Sequence, residues 1–339
     1  MTRLNRRHAL GLMGGAAAMG LAAPAIGASH AKKITVGALR FTSHSASFIA
    51  LERGYFADAG LEVELKFFQA AQPMAVAIAS RDIDYAVTAI SGGLINLAQK
   101  GAIKVIGGAL SEEDGIDGQK ILASNAAHEA GLTSPASLDG KSYAVTQAGS
   151  SFHYMGSKIA VAEGVTPKFT PLQKVGAIIG AMKSGQVDAW SIVPHIAKGL
   201  AGAGAVQIIG DVAAYLPNYQ VTTLFTSADN AANERAKTGA FVEAFSQGAA
   251  DYNAVMVDKT EGEAAMDEMV NLIHKYVYTD RPIEKAAKSI IAGSMRINQG
   301  AALNTTSVAD QLEWFQSEGL VDASITMGDL VDGSYVETA

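Results

Sequence analysis

The sequence predicts an α/β protein of two lobes, each built on a mixed, mostly parallel sheet, with a helical C-terminal region. Three observations carry this. Short apolar strands alternate with helices between Lys33 and Ile209, the order that generates parallel sheets. After one more apolar strand at 220–226 the pattern turns wholly helical. The 49% hydrophobic content, spread over roughly 300 residues behind a leader, suffices for two cores of ordinary size.

The alternation opens with a strand at 33–37, a polar loop at 41–47, a helix at 49–60 and a strand at 61–68. In that last strand Leu61, Val63, Leu65 and Phe67 alternate with Glu62, Glu64 and Lys66, a period of two with one face buried. The preceding helix sets Phe48, Ile49, Leu51 and Phe56 around Glu52 and Arg53, with Gly54 and Gly60 punctuating its end. A helix at 72–80, a strand at 84–88, a helix at 92–100 and a strand at 103–108 complete the first series. A strand at 119–123 and a polar stretch at 124–137 lead into the second. It consists of strands at 142–146, 168–173, 187–192 and 205–209 around helices at 151–163, 176–184 and 194–200. Helices then follow at 233–257, 263–276, 283–292 and 307–317, where Val308, Leu312 and Phe315 show the spacing of one buried face. This order assigns 32–120 and 222–339 to lobe 1 and 121–221 to lobe 2. Hinges are expected near 119–124 and 218–225, with a cleft between the lobes.

Residues 1–31 read as an export signal that is removed: Arg6 and Arg7 precede an uncharged run rich in Ala and Gly at 9–28, and Ala25, Ala28 and Ala31 offer cleavage sites. The paired arginines suggest the twin-arginine route, with ordinary secretion as the alternative. The run is poor in Leu and Ile, which separates it from a membrane anchor. Its removal takes 26 basic residues to 23 against 33 acidic, and the net charge from -7 to -10. Nucleic acid is therefore not an expected partner. The absence of cysteine excludes a lipid-anchoring cysteine, disulfides, thiolate metal sites and a cysteine nucleophile. A free, monomeric protein of the periplasm is the expectation.

Several motifs then coincide. Lys33-Ile34-x-Val36-Gly37 is followed by a polar loop and by Ala50-x-x-x-Gly54-Tyr55-Phe56-x-x-x-Gly60-Leu61-x-Val63-Glu64. Further on stand Ser80-x-x-Ile83-Asp84, Ser137-Leu138-Asp139-Gly140-Lys141, Gly149-Ser150 and Gly185-Gln186-Val187-Asp188-Ala189-Trp190. In order and spacing the set resembles the periplasmic substrate-binding proteins of nitrate-, sulfonate- and taurine-type ABC importers, over nearly the whole chain behind the leader. The resemblance implies the two-lobed periplasmic binding protein fold (type II), a small-molecule ligand held between the lobes, and delivery to an ABC permease in the inner membrane. It also takes in binders of thiamine-precursor pyrimidines, so it does not name the ligand.

In open α/β sheets ligands lie beyond the carboxyl ends of strands, where loops meet helix N-termini. Unpaired N–H groups of the first helical turn favour negative charge there. Four loops qualify. Phe41, Ser43, His44 and Ser45 follow the first strand and offer an aromatic face, hydroxyls and an imidazole; Ser45 alternatively only caps the helix. Ser91 and Gly92 end another strand; Ala89 occupies the position where a nucleophile elbow requires glycine, which argues against hydrolysis. Gly149, Ser150, Ser151, Phe152 and His153 open the first helix of lobe 2 and form the strongest candidate anion seat, the alternative being an ordinary serine cap. Trp190 and His195 flank a strand end, with Trp190 either core or platform, and Tyr219 lies at the second crossing.

None of these loops carries Asp, Glu, Lys or Arg. The expected ligand is a small organic anion, an aromatic or short-chain carboxylate or sulfonate, held by neutral donors. In sulfonate-type relatives an aromatic–acidic pair precedes the proline equivalent to Pro194; here Ile192 and Val193 stand there, which argues against an amine-bearing ligand. No catalysis, metal or cofactor is expected. The seven histidines show no i, i+4 pair, Glu112 and Glu113 read as solvated loop, and the related pyrimidine-precursor synthase depends on a cysteine motif that this chain lacks. The alternatives to transport binding of an anion are a pyrimidine binder and a periplasmic sensor module.

Overall fold

The computed structural model describes residues 31–339. Apart from Ala31, the export signal lies outside the described residues. Ten strands run in chain order: β1 Lys32–Ala38, β2 Leu61–Phe67, β3 Tyr85–Thr88, β4 Ile103–Gly108, β5 Lys120–Ser124, β6 Ser142–Val145, β7 Lys168–Pro171, β8 Ala189–Ile192, β9 Val206–Asp211 and β10 Thr223–Ser227. They form two five-stranded sheets, ordered β2-β1-β3-β10-β4 and β7-β6-β8-β5-β9. In the first, β1 is parallel to β2 and β3 while β10 runs antiparallel to β3 and β4. The second repeats this scheme, with β6 parallel to β7 and β8 and β5 antiparallel to β8 and β9.

The repetition extends to single side chains. The Thr35 N–H donates to Asp84 Oδ2 at 2.8 Å while the Asp84 N–H returns to the Thr35 carbonyl at 2.9 Å. In the second sheet the Ser142 N–H donates to Asp188 Oδ2 at 2.7 Å and the Asp188 N–H to the Ser142 carbonyl at 3.2 Å. Each aspartate replaces a ladder partner just before a central strand begins, and so fixes the register of the parallel pair. The acidic residue in Ile83-Asp84 and in Val187-Asp188 is therefore structural.

The chain passes between the sheets twice, at 109–119 and 212–222, and the passages pair with each other. The Ala109 N–H donates to the Thr222 carbonyl at 3.0 Å, the Glu112 N–H to Tyr219 at 2.9 Å and the Val212 N–H to Gln119 at 2.9 Å. The C-terminal helices pack first on the β2-β1-β3 sheet. The Arg235–Tyr252 helix stacks Phe241 against Tyr85, with ring centroids 4.2 Å apart, and against Phe56. Its Gly248 meets the Ser45–Glu52 helix so closely that an added Cβ would lie 2.2 Å from the Ala46 carbonyl.

One departure from the sequence reading lies beside that contact. The segment at 41–47 is not a loop throughout: a 3-10 turn at Thr42–His44 leads straight into the Ser45–Glu52 helix, and Gly54 (φ 81°) then opens a short Tyr55–Asp58 helix. Residues 42–47 are all buried, and helical turns pair the backbone groups that water cannot reach. A second departure lies in the polar stretch at 124–137, which contains the helix Asn125–Glu129; the Ser124 hydroxyl caps it by accepting from the Ala127 N–H at 3.3 Å.

Candidate functional site

The carboxyl ends of β1, β3, β6 and β8 converge on a cavity of ≈ 60 Å³ between the two sheets. Phe41, Ser43 and His44 enter it from behind β1, Thr88 from β3, Ser150, Ser151 and Phe152 from behind β6, and Ile192 and Val193 from β8. Gln119 and Thr222 of the two crossing passages close its back. No Asp, Glu, Lys or Arg is among the lining residues.

The start of the Ser151–Glu163 helix is the polar centre of this wall. Gly149, at φ 70°, turns the chain so that Ser150 caps the helix, its hydroxyl accepting from the His153 N–H at 3.4 Å. The Gly149 N–H donates to His153 Nδ1 at 3.1 Å. The Ser151 and Phe152 N–H groups precede the first intrahelical bond, and among the described residues neither has an acceptor. Two unspent donors at the positive end of a thirteen-residue helix thus belong to residues of the cavity wall.

Of the residues singled out from the sequence, Phe41, Ser43, His44, Ser150, Ser151 and Phe152 meet at this cavity. The others have different places. Ser45 lies inside a helix and is fully buried, its hydroxyl without a partner. Ser91 caps the Gly92–Gln99 helix, accepting from the Leu94 N–H and donating to Gln72 Oε1 at 3.0 Å. The Gly92 N–H is spent on the Gly149 carbonyl at 2.9 Å, a direct bond between loops of the two sheets. Trp190 is core: it is fully buried, its indole N–H has no partner, and the Phe152 ring meets it edge-on with centroids 5.6 Å apart. His153 packs between Phe169 and Trp314. Tyr219 packs on Tyr154 behind the crossing.

His195 belongs to a second, wider space of ≈ 530 Å³ that adjoins the first and shares Leu39, Phe41 and Val175 with it. Phe41 stands edge-on to both His44 and His195, with ring centroids 6.2 and 5.5 Å apart. Both imidazoles are buried, and loss of hydration holds each down to about 3, so both are neutral at physiological pH. His195 Nδ1 lies 2.8 Å from the Tyr278 hydroxyl, and its backbone abuts Gly293, where an added Cβ would sit 2.0 Å from His195 Cβ. This outer space is lined by Arg40, Lys183 and Arg281 and by no carboxylate.

Gln119 was not singled out from the sequence as a site residue, and Glu112 was misread. Gln119 is buried and lines the inner cavity with its Nε2 unpartnered. Behind it lies Glu112, a correction to the reading of Glu112 and Glu113 as solvated loop: Glu112 is 2% exposed, and its Oε1 accepts from the Gln119 N–H at 3.0 Å. Burial, opposed by that hydrogen bond, pushes its carboxyl up to about 7. Only Glu113 is at the surface, paired with Arg296 at 2.9 Å.

Among solved structures the chain is similar to the alkanesulfonate-binding protein SsuA of Xanthomonas axonopodis pv. citri bound to MOPS, at 14% identity and a TM-score of 0.68 over 91% of this chain and 98% of that one. It is likewise similar to the periplasmic aliphatic sulphonate-binding protein SsuA of Escherichia coli, at 17% identity and a TM-score of 0.67 over 88% and 97%. The periplasmic nitrate-binding protein NrtA of Synechocystis PCC 6803 matches at 13% identity and a TM-score of 0.68 over 87% and 84%. These likenesses show the fold, the two-lobed fold of periplasmic binding proteins. No curated protein matches the sequence. The family model described as NMT1/THI5 like matches residues 41–254, well over half of the sequence, and the chain belongs to that family.

Proposed function

We propose that this protein is the solute-binding component of an ABC importer, exported to the periplasm, which captures a small organic anion between its lobes and presents it to an inner-membrane permease without transforming it. One observation carries the reading: the unspent Ser151 and Phe152 N–H groups belong to the wall of a cavity between two sheets, with no carboxylate beside them. A helix start of this kind favours an anion by about 0.3–1 kcal/mol, and by up to about 2 kcal/mol when sheltered. Ser43, Ser150 and Ser151 add hydroxyl donors, and Phe41 and Phe152 add apolar walls.

The lobes are drawn together through the Gly92–Gly149 hydrogen bond, so ligand entry requires them to part, with the paired passages at 109–119 and 212–222 as the hinge. A ligand that prefers the closed arrangement supplies the signal a permease reads. A pyrimidine of the thiamine-precursor kind is the second reading. Gln119 favours it, because a buried carboxamide with a free Nε2 suits the donor and acceptor pattern of a neutral heterocycle.

The test is native mass spectrometry of the protein as purified, followed by calorimetric titration with aromatic and short-chain carboxylates, sulfonates and an aminopyrimidine. Binding of the acids with compaction in solution scattering supports the anion reading. Binding of the uncharged pyrimidine alone overturns it.

A further inference from the structure

The inner cavity of ≈ 60 Å³ has room for roughly four waters, whereas a cavity known to take benzene measures about 150 Å³. The outer space of ≈ 530 Å³ falls in the range of roughly 300–1,000 Å³ usual for ligand sites. A ligand with its anionic head at the Ser151–Glu163 helix start must therefore place its body past Phe41 in the outer space. Three cations wait there. Arg40 comes from the loop behind β1, Lys183 from the Val175–Ser184 helix of the other lobe, and Arg281 from the C-terminal region. Among the described residues none of the three is ion-paired with a carboxylate. The two guanidinium groups are braced on rings, Arg40 3.9 Å from the Phe67 centroid and Arg281 4.6 Å from that of Tyr278. Arg40 also donates one N–H to the Tyr276 carbonyl at 3.1 Å. Both are thus held in place with donors to spare.

Three like charges line one space from two lobes, and no carboxylate among its lining residues offsets them. We infer that the ligand is an elongated, two-ended anion, its distal carboxylate, sulfonate or phosphate held in the outer space by Arg40, Lys183 and Arg281. The inference rests on the proposed anion reading and narrows it to dianions. Because Lys183 comes from one lobe and both arginines from the other, the distal group bridges the lobes and turns a repulsion into a latch.

The experiment compares phenylacetate, with one charge, and 1,4-phenylenediacetate, with a charge at each end, by calorimetric titration at low and high ionic strength. An exposed ion pair contributes up to about 1 kcal/mol, or about 5-fold in affinity. The dianion is expected to bind about 20-fold or more tightly than the monoanion at low salt, and that advantage is expected to shrink as salt rises. In Lys183→Gln the ratio should fall about 5-fold, and in the R40Q/K183Q/R281Q triple variant it should approach one. Arg40, Lys183 and Arg281 are exposed, so these variants keep the core, which matching thermal unfolding confirms. Equal affinity for the two acids, or a dianion advantage that survives in the triple variant, overturns the inference and leaves the anion reading standing. Failure of both acids to bind while the uncharged pyrimidine binds overturns both.

Discussion

Glu112 makes the stability of the crossing passages depend on pH in a direction opposite to ordinary surface carboxylates. Its carboxyl is lifted from 4.5 to about 7 because burial removes water from the charged form, and Oε2 has no hydrogen-bond partner to replace it. Below pH 4.5 the group is protonated in both folded and unfolded chains and costs nothing. Between 4.5 and about 7 the unfolded chain releases the proton while the folded protein keeps it, so rising pH favours unfolding by about 1.4 kcal/mol per pH unit. The loss levels off above the folded value, at a total of about 3 kcal/mol. Glu112→Gln keeps the shape and an acceptor for the Gln119 N–H but cannot ionise. Urea unfolding of both proteins between about pH 5 and 8 should show near-equal stability at the acid end and a variant more stable by about 2–3 kcal/mol at the alkaline end. A difference that stays constant across this range, or a variant less stable at the alkaline end, refutes the reasoning, because the carboxylate would then be solvated or paired.

Three further changes probe the cleft and its supports. Ser150→Ala removes the cap on the His153 N–H and is expected to cost about 1 kcal/mol; it should also weaken anion binding, seen by urea unfolding and by calorimetry. Gly293→Ala places a methyl group 2.0 Å from His195 Cβ and obstructs closure. At an overpacking cost of about 1–3 kcal/mol affinity should fall about tenfold or more, with a more open particle in scattering and the two sheets intact by circular dichroism. Gly248→Ala drives a methyl group to 2.2 Å from the Ala46 carbonyl; its expected cost of about 1–3 kcal/mol should appear as a lower urea midpoint at unchanged slope.

The strand–helix alternation could be read from the sequence because β2 and many helices carry a period, while the central strands β3, β5 and β8 are short runs buried on both faces. The polar centre was legible for the same kind of reason. Gly149-Ser150-Ser151 is a local instruction, a left-handed glycine followed by a serine cap, and it builds a helix start wherever the chain goes. Trp190 and Tyr219 were ambiguous because large aromatic residues serve equally as core and as platform; the structure buries both and leaves the polar atoms of both without partners. Arg40, Lys183 and Arg281 carry no local signal of convergence, since they lie on segments far apart in sequence and share one space only after the lobes assemble.

Glu112 and Glu113 show most sharply why composition misleads. Two adjacent acids look like solvent-facing loop, yet the passage between the sheets is extended and paired with the returning passage, and neighbours on extended backbone face opposite ways. One glutamate must then turn inward when the other turns out. Glu113 reaches Arg296, while Glu112 meets Gln119 and the underside of Gly118, where an added Cβ would lie 1.8 Å from its Oε2. Gln119 therefore has a charged or protonated neighbour on one side and the ligand cavity on the other. Any ligand group that donates to or accepts from the Gln119 carboxamide alters the surroundings of the Glu112 carboxyl, and its proton affinity shifts with ligand occupancy. Ligand affinity should accordingly vary with pH around 7 in the wild-type protein and lose that dependence in Glu112→Gln, as read by calorimetry at matched ionic strength. Identical pH profiles for the two proteins would separate the buried acid from the cleft and leave it a matter of stability alone.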